Sequence, residues 1–167
     1  MNNSMTRRTL LGGGAMLAVT GIFALSRGWA AAAGRPDPAP PFRLSDAQWR
    51  ARLSPTQYAV LRRAATERAG SSPLNREHRR GAFRCAGCDQ PLFSSAAKYD
   101  SGTGWPSFRR ALPRAVGTRV DRSIGAVRVE VHCARCGGHL GHVFDDGPPP
   151  TGKRYCMNGV ALRFVPA

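Results

Sequence analysis

The chain has 167 residues but few acidic side chains, with 10 Asp and Glu against 25 Lys and Arg and a net charge of +15. A positive charge of this size favours acidic partners such as nucleic acid or anionic membrane surfaces. The concentrated basic segments expected of a nucleic-acid-binding protein are missing, because no run of Lys and Arg is longer than two. We therefore interpret the charge as a solvated, arginine-rich surface and expect no nucleic-acid partner.

A long apolar run is also missing. The apolar stretch near the amino end, about 16 residues up to Leu25, contains three consecutive glycines and falls short of the roughly 20 residues that cross a bilayer. We therefore expect no stable membrane anchor. No cysteine follows this stretch, which argues against a lipid-modified amino end.

The amino end has the pattern of a bacterial export signal. Arg7 and Arg8 precede the apolar stretch, and Trp29 with four alanines follows it. This pattern predicts a signal of the twin-arginine type over residues 1–33, cleaved near Ala32 or Ala33, and a periplasmic location. Residues 34–44 are rich in proline and are predicted to form an extended spacer. Residues 45–167 are then one domain of ordinary size.

The remaining chain predicts short strands and turns rather than a helical bundle, since it is rich in glycine and proline. Two capping boxes, Ser45 with Gln48 and Ser54 with Gln57, predict two short helices before the strands. The second helix is expected from about Pro55 to Glu67, with one apolar face formed by Tyr58, Leu61 and Ala65.

Alternating side chains predict two strands beside the chemically interesting residues. Val127, Val129 and Val131 alternate with polar residues, which indicates a half-buried strand that ends at Cys133. A similar alternation of Val160, Leu162 and Phe164 follows Cys156. We therefore expect Cys156 to lie on or beside a strand, with the Gly/Pro-rich segment 146–152 at the rim.

Four of the five cysteines form two C-x-x-C pairs, Cys85 with Cys88 and Cys133 with Cys136, and 44 residues separate the pairs. The C-x-x-C spacing is typical of a tetrahedral zinc site. Because the separation between the pairs exceeds the roughly 15 to 20 residues of a compact zinc ribbon, the zinc would here join two distant hairpins. Two structural disulfides, as in a disulfide-stabilised periplasmic binding protein, and a redox-active pair are alternatives. A mixed site is a further alternative, because His139 and His142 continue the spacing of three after Cys136. We favour four cysteine ligands, which already complete a structural site.

Cys156 is the cysteine left outside these pairs. Arg154 and a nearby His139 or His142 would favour its thiolate, which is the reactive form of cysteine. A single cysteine can equally be an inert buried residue. Trp105, which lies in the glycine-rich run 100–108, can likewise be an ordinary core residue. Met157 is expected to pack inward.

These motifs together resemble the zinc-containing B-type methionine-R-sulfoxide reductases. The resemblance extends from about Ser45 to Pro166 and rests on six segments: 83–88, 92–95, 101–108, 133–136, 139–144 and 154–158. It implies a mainly β fold of two antiparallel sheets, of the β-tent or Mss4-like type, with short amino-terminal helices. It also implies one structural zinc on Cys85, Cys88, Cys133 and Cys136.

The resemblance further implies a role for each site residue. Cys156 would be the nucleophile and His142 the proton donor, and Trp105 would line the pocket for the substrate methyl group. His139 and Asn158 would complete the site. The substrate would be free or protein-bound methionine-R-sulfoxide, Cys156 would become a sulfenic acid, and a thioredoxin-like protein or a small thiol would reduce it. The enzyme is expected to be a monomer.

Two positions depart from the family pattern. Thr103 stands where many relatives have a resolving cysteine, and Gly159 stands where serine is frequent. Because the other four cysteines are assigned to zinc, the first departure predicts recycling by an external thiol. We expect the second to affect the fine positioning of the site.

Overall fold

The computed structural model describes residues 39–167, so the predicted export signal and the first part of the predicted spacer lie outside the described residues. Two helices come first, α1 (Asp46–Arg52) and α2 (Pro55–Arg63). The strands follow: β1 (Gly81–Cys85), β2 (Pro91–Ser94), β3 (Lys98–Tyr99), β4 (Ser107–Phe108), β5 (Val116–Asp121), β6 (Arg128–Cys133), β7 (His139–Phe144), β8 (Arg154–Met157) and β9 (Leu162–Pro166). Short 3₁₀ turns occupy Pro73–Arg76, Ser95–Ala97 and Gly159–Ala161.

Both predicted capping boxes are present and begin the two helices. The Ser45 hydroxyl accepts the N–H of Gln48 at 3.2 Å, and the Gln48 side chain accepts the N–H of Ser45 at 2.8 Å. Ser54 and Gln57 make the same pair of bonds before α2. These reciprocal bonds satisfy N–H groups that the first helical turn leaves without partners.

The predicted end of the second helix is wrong, because α2 ends at Arg63 rather than near Glu67. Ala64 takes a left-handed conformation with φ of 53°, which terminates the helix and redirects the chain. Tyr58 and Leu61 are buried as expected, whereas Ala65 lies beyond the helix. The redirected segment brings Glu67 to the site described below.

The strands form two antiparallel sheets, which confirms the predicted fold class. One sheet has the order β2-β1-β9 and the other β3-β4-β8-β7-β6-β5. The core lies between them, where the ring of Phe108 stacks on Phe93 at 4.3 Å and meets Phe83 edge-on at 4.9 Å. Cys156 lies on β8 as predicted, and the adjacent Met157 is fully buried.

The predicted burial of β6 is only partly correct. Val131 is fully buried, but Val129 is 39% exposed and Val127 lies before the strand and is 64% exposed. Val129 pairs with Val120 on the edge strand β5, which is itself exposed, so this end of the sheet face is open to solvent. The buried face at this point carries Glu130 instead.

The structure also defines the two ends of the domain. β9 begins at Leu162, because Val160 belongs to the preceding 3₁₀ turn. At the amino end, Phe42 donates its N–H to the carbonyl of Arg135 at 2.9 Å, and its ring meets Trp49 at 5.8 Å. Within residues 39–167, none of the helices has the length and apolar character required to cross a membrane.

Candidate active site and metal centre

The two cysteine pairs lie on equivalent turns that begin at the ends of β1 and β6. The carbonyl of Cys85 accepts the N–H of Asp89 at 2.9 Å, and the carbonyl of Cys133 accepts the N–H of Gly137 at 2.8 Å. Asp89 and Gly137 both have positive φ, 64° and 69°, which closes each turn. Each turn therefore presents both of its sulfur atoms to the same side.

The four cysteines are buried and their sulfur atoms all lie within 4.8 Å of one another. Sγ of Cys85 is 3.7 Å from that of Cys136, and Sγ of Cys88 is 3.6 Å from that of Cys133. Tetrahedral zinc with bonds of about 2.3 Å places its sulfur ligands about 3.8 Å apart, whereas a disulfide needs about 2.0 Å. All five cysteines are free. The cluster therefore fits a metal ion and not the disulfide alternatives.

Arginine side chains surround this cluster. Arg52 donates to the carbonyl of Gly87 at 2.7 Å, Arg62 to that of Cys136 at 3.2 Å, and Arg135 to that of Cys88 at 2.9 Å. Four thiolates around a divalent cation carry a net charge of −2, which nearby guanidinium groups offset. The chemistry of the surroundings therefore also fits a metal bound by four thiolates.

His139 and His142 do not belong to the four-cysteine cluster, so the mixed cysteine and histidine site is wrong. His142 lies on β7 directly opposite Cys156 on β8. Both residues line a small pocket of about 130 Å³. The other residues that line it are Thr66, Trp105, Arg128, Gly141, Phe144 and Asn158.

The Cys156 thiol is half-buried, and this burial raises its pKa. The Thr103 hydroxyl, whose Oγ1 lies 3.8 Å from Sγ, and the Arg154 guanidinium act in the opposite direction. Arg154 also forms two hydrogen bonds of 2.8 Å with Asp146, and it lies over the Phe144 ring at 4.4 Å. The thiol therefore has cationic and hydroxyl neighbours in an otherwise poorly solvated pocket.

A short chain of hydroxyl groups continues from Thr103. Ser101 Oγ lies 2.8 Å from Thr103 Oγ1 and 2.7 Å from Oγ of the fully buried Ser107. Ser107 pairs with Cys156 across β4 and β8. The sequence analysis did not single out Ser101 or Ser107. Ser107 is the only polar residue of the two-residue strand β4, and its pairing with β8 cannot be predicted from the sequence.

Each histidine contacts a carboxylate from another strand of the same sheet, Asp121 on β5 and Glu130 on β6. His142 Nε2 lies 2.7 Å from Asp121 Oδ2, and Arg128 donates to the same oxygen at 2.6 Å. Burial lowers the pKa of His142, although the hydrogen bond to Asp121 opposes this effect. Hydrogen bonds from Ser123, His142 and Arg128 hold the pKa of Asp121 well below its ordinary value.

His139, which lies next to His142, makes a similar set of contacts with a carboxylate and an arginine. Its Nδ1 lies 2.8 Å from Glu130 Oε1, and Arg119 donates to the same carboxylate at 3.0 Å. Burial alone would raise the pKa of Glu130, but these hydrogen bonds outweigh it and lower the value to about 2. The His139 and His142 rings meet edge-on at 5.4 Å. His139 is thus next to His142 but does not line the pocket around Cys156.

Trp105 and Asn158 are fixed in the pocket wall by the segment that follows α2. The indole N–H of Trp105 donates to the carbonyl of Glu67 at 3.2 Å, and the N–H of Glu67 donates to Asn158 Oδ1 at 2.9 Å. The buried Glu67 carboxylate also accepts the N–H groups of Gly159 and Val160. Glu67 therefore connects both pocket residues to the chain beyond Cys156.

The absence of a side chain at Gly159 is explained by packing. A Cβ atom added there would lie 1.9 Å from Oγ of Ser72 and 3.3 Å from the Glu67 carboxylate. Ser72 therefore fills the space that a serine at position 159 would need. Glycine therefore fits at position 159, where the family often has serine, because Ser72 already occupies the space.

The carboxylates that hold the histidines were missed by the sequence analysis, as was Glu67. The alternation of valines with polar residues along β6 predicts a solvent-facing Glu130, and the helical pattern predicts that Glu67 ends a helix. Asp121 had no signal of its own, since its contact with His142 depends on the pairing of β5 with β6 and of β6 with β7.

Comparison with known proteins identifies the family. The model of the SelR domain matches residues 53–166. A peptide methionine sulfoxide reductase MsrB from Thiobacillus denitrificans is 58% identical, covering 73% of this chain and 93% of that protein. MsrB proteins from Agrobacterium fabrum and Bradyrhizobium diazoefficiens are 52% and 56% identical, over 76% and 73% of this chain and 95% and 88% of the respective proteins.

Among solved structures, the chain is similar to the Mis18 'Yippee-like' domain, with a TM-score of 0.44 and 21% identity over 53% of this chain and 98% of that one. The SelR match covers most of the described domain, including the four-cysteine cluster and the pocket around Cys156. The chain therefore belongs to the MsrB family of peptide methionine sulfoxide reductases.

Proposed function

We propose that this chain reduces the R epimer of methionine sulfoxide, free or in a polypeptide, with Cys156 as the nucleophile. Membership of the MsrB family supplies the reaction class. The observation that carries the residue assignment is that Cys156, the one cysteine outside the four-cysteine cluster, shares a small pocket with His142 and Trp105.

The size and lining of the pocket suit this substrate. A volume of about 130 Å³ accommodates the end of one side chain, and Trp105 and Phe144 provide apolar surface for the methyl group. Because the sulfoxide sulfur is chiral, a fixed methyl site and a fixed proton donor together accept one epimer. In this assignment Trp105 holds the methyl group, and Asn158 supports the pocket wall.

The Cys156 thiolate attacks the sulfoxide sulfur, and His142 protonates the oxygen as it gains negative charge. The sulfoxide sulfur gains two electrons and leaves as methionine. The bond between the oxygen and the sulfoxide sulfur breaks, and the sulfur of Cys156 loses two electrons and binds that oxygen as a sulfenic acid. His139 lies behind His142 and supports its ring.

An external thiol then restores Cys156. Within the described residues the other cysteines form the buried cluster, and the neighbouring position 103 carries a hydroxyl group. A thiol from a thioredoxin-like protein or a small molecule would attack the sulfenic acid to form a mixed disulfide, and a second thiol would release the enzyme. A dimedone adduct at Cys156 after one turnover tests this route. A Cys156 disulfide to one of the clustered cysteines would refute it.

The cluster would hold one zinc ion through Cys85, Cys88, Cys133 and Cys136. Four buried thiolates fill the coordination of zinc, so the ion would be structural and would take no part in the sulfoxide chemistry.

The chain would be exported through the twin-arginine route. Replacing Arg7 and Arg8 by lysine should then retain the precursor in the cytoplasm, and unchanged periplasmic delivery would contradict this proposal.

A stereospecific assay tests the proposed function. Wild-type protein and the Cys156→Ser variant are incubated with the R and S epimers of a methionine sulfoxide peptide, and methionine is quantified. We expect reduction of the R epimer by the wild type only, with zinc content and unfolding temperature unchanged in the variant. Turnover by Cys156→Ser, or a preference for the S epimer, would contradict the assignment.

A further inference from the structure

The two histidines are held by similar groups, but through opposite ring nitrogens. His142 contacts Asp121 through Nε2, whereas His139 contacts Glu130 through Nδ1. An arginine donates in turn to each carboxylate, Arg128 to Asp121 and Arg119 to Glu130. The carboxylates and arginines come from β5 and β6, and both histidines come from β7.

These contacts determine the tautomer of each neutral histidine. An ionised carboxylate can only accept hydrogen bonds, so the nitrogen that contacts it must carry the proton. His142 is therefore protonated at Nε2, which leaves Nδ1 with a free lone pair. His139 is protonated at Nδ1, and its buried Nε2 has no hydrogen-bond partner within residues 39–167.

We propose that Asp121, supported by Arg128, is a positioning residue that makes Nδ1 of His142 the nitrogen that exchanges a proton with Cys156 and with the sulfoxide oxygen. This inference rests on the proposed function, because it specifies how His142 performs its role. It assigns a role to a strand-end carboxylate that does not line the pocket around Cys156.

The register of the strands supports this proton path. His142 and Cys156 are directly opposite on β7 and β8, and both line the same pocket. Side chains of directly opposed residues point to the same face of a sheet, with Cβ atoms about 4.5–5.5 Å apart. The thiol and the His142 ring therefore face the same pocket, where a proton can pass between Sγ and Nδ1 while Asp121 keeps the ring oriented.

The step balances without an external proton. The Cys156 thiol gives its proton to Nδ1 of His142, which produces a thiolate and an imidazolium whose charge Asp121 stabilises. The thiolate attacks the sulfoxide sulfur, and the proton passes from Nδ1 to the oxygen. The resulting hydroxyl group then moves to the sulfur of Cys156, and the bond between the two sulfur atoms breaks with its electron pair left on methionine. At the end of the step Nδ1 is free again, the sulfoxide has become methionine, and Cys156 is a sulfenic acid.

This path requires a thiol and a neutral imidazole at the start, which predicts the pH dependence. The charged and titratable groups around His142 are Asp121, Arg128 and Glu130 from β5 and β6, His139 on β7 and Cys156 on β8. The activity should fall at acid pH as His142 is protonated in the free enzyme, and at alkaline pH as Cys156 loses its proton. The plateau between these limits should be broad, since burial lowers the pKa of His142 and raises that of Cys156.

The tautomer can be measured in the wild-type holoprotein with ¹⁵N-labelled histidine by long-range ¹H–¹⁵N NMR correlation. We expect His142, assigned by its loss in a His142→Gln variant, to carry its proton on Nε2 when neutral. A proton on Nδ1 in the neutral form would overturn the proposal. This measurement does not depend on the folding of any Asp121 variant.

Kinetics of Asp121→Asn provide the second test. An amide can donate to Nε2 and so favour the wrong tautomer, so kcat should fall about 10²-fold or more, with little change in KM. Loss of the carboxylate should also move the acid limit of kcat/KM to lower pH. Asp145→Asn is the matched control, because it removes the same charge from an exposed carboxylate that pairs with Lys153, and its profile should be unchanged.

The two proposals fail in different ways. If Asp121→Asn retains the kcat and the pH profile of the wild type while Cys156→Ser is inactive, the role of Asp121 is refuted and the proposed function stands. If Cys156→Ser retains turnover, the proposed function itself fails. A purely structural role for Asp121 would lower the unfolding temperature without the change in pH profile, and this result would also overturn the proposal.

Discussion

Opposing effects determine the state of Cys156 in the resting protein. Burial favours the neutral thiol and raises its pKa, while the Thr103 hydroxyl and the Arg154 guanidinium favour the thiolate. The charge of Arg154 is shared with Asp146, through two hydrogen bonds of 2.8 Å. A thiol that is mostly protonated until substrate and His142 are in place is protected from indiscriminate oxidation, which proceeds through the thiolate.

Position 103 offers a direct test of recycling at the scale of a single residue. Thr103 Oγ1 lies 3.8 Å from Cys156 Sγ, so a sulfur introduced by Thr103→Cys would need only a small rotation to reach the bonding distance of about 2.0 Å. After one equivalent of methionine-R-sulfoxide, we expect this variant to form a disulfide with Cys156 and to lose its reaction with dimedone. Mass spectrometry of the intact protein and of its peptides measures both changes.

Thr118→Cys is the matched control for this prediction. Thr118 is exposed on β5, three strands away from β8, which corresponds to about 14 Å at the usual spacing between strands. This variant should react with dimedone at Cys156 as the wild type does. Persistent dimedone labelling of Cys156 in Thr103→Cys would show that position 103 cannot supply a resolving thiol in this protein.

Elements encoded by neighbouring residues could be predicted from the sequence, and contacts between distant strands could not. The capping boxes at Ser45 and Ser54 are local hydrogen-bond patterns, so both helix starts were correct. The two C-x-x-C spacings favoured one shared site for the four cysteines, and their sulfur atoms do lie within 4.8 Å of one another. The contact of Asp121 with His142 spans 21 residues and depends on the register of three strands, which alternation of apolar residues does not specify.

The early end of α2 places Glu67 at the wall of the pocket, which the helical sequence pattern did not predict. A helix continued to Glu67 would have been consistent with the spacing of Tyr58, Leu61 and Ala65, but the left-handed Ala64 frees the segment that follows. Glu67 then forms hydrogen bonds with residues of the pocket wall and the chain beyond it, through both its peptide group and its carboxylate. Tertiary hydrogen bonds thus outweigh local helix propensity at this point.

Glu67→Gln tests this connection at the scale of the element. The amide keeps one acceptor oxygen, but its NH₂ group would face a backbone N–H of Gly159 or Val160 and leave a buried donor unpaired. We expect a loss of about 1–3 kcal/mol in the free energy of unfolding. Because Trp105 and Asn158 are positioned through the same residue, KM for the sulfoxide should rise. Urea unfolding and steady-state kinetics measure these two effects.

Asp145→Asn is the appropriate comparison, since it removes the same charge from an exposed carboxylate that pairs with Lys153. Surface ion pairs of this kind contribute at most about 1 kcal/mol, so its stability and KM should stay close to those of the wild type. Equal effects of the two substitutions would show that Glu67 has no special link to the pocket.

The four-cysteine cluster lies where the two sheets of the domain come together. Cys85 ends β1 in the three-stranded sheet and Cys133 ends β6 in the six-stranded sheet, so an ion bound by both pairs joins the two sheets directly. The helices also pack on this region, since a Cβ atom on Gly138 would lie only 3.0 Å from Leu61 of α2. Both sheets and α2 therefore pack around the four-cysteine cluster.

Removal of the metal should consequently unfold the domain rather than only inactivate it. Structural zinc sites contribute about 10–16 kcal/mol in zinc-finger peptides, which is comparable with the whole stability of about 5–15 kcal/mol of a typical domain. We expect one zinc per chain, and loss of the thermal unfolding transition when a strong chelator removes it under reducing conditions. Cys88→Ser should reproduce this loss, while Cys156→Ser should retain both the zinc and the transition, because Cys156 lies outside the cluster. A metal-free protein with an unchanged circular dichroism spectrum and unfolding temperature would show that the packing of the two sheets suffices without the ion.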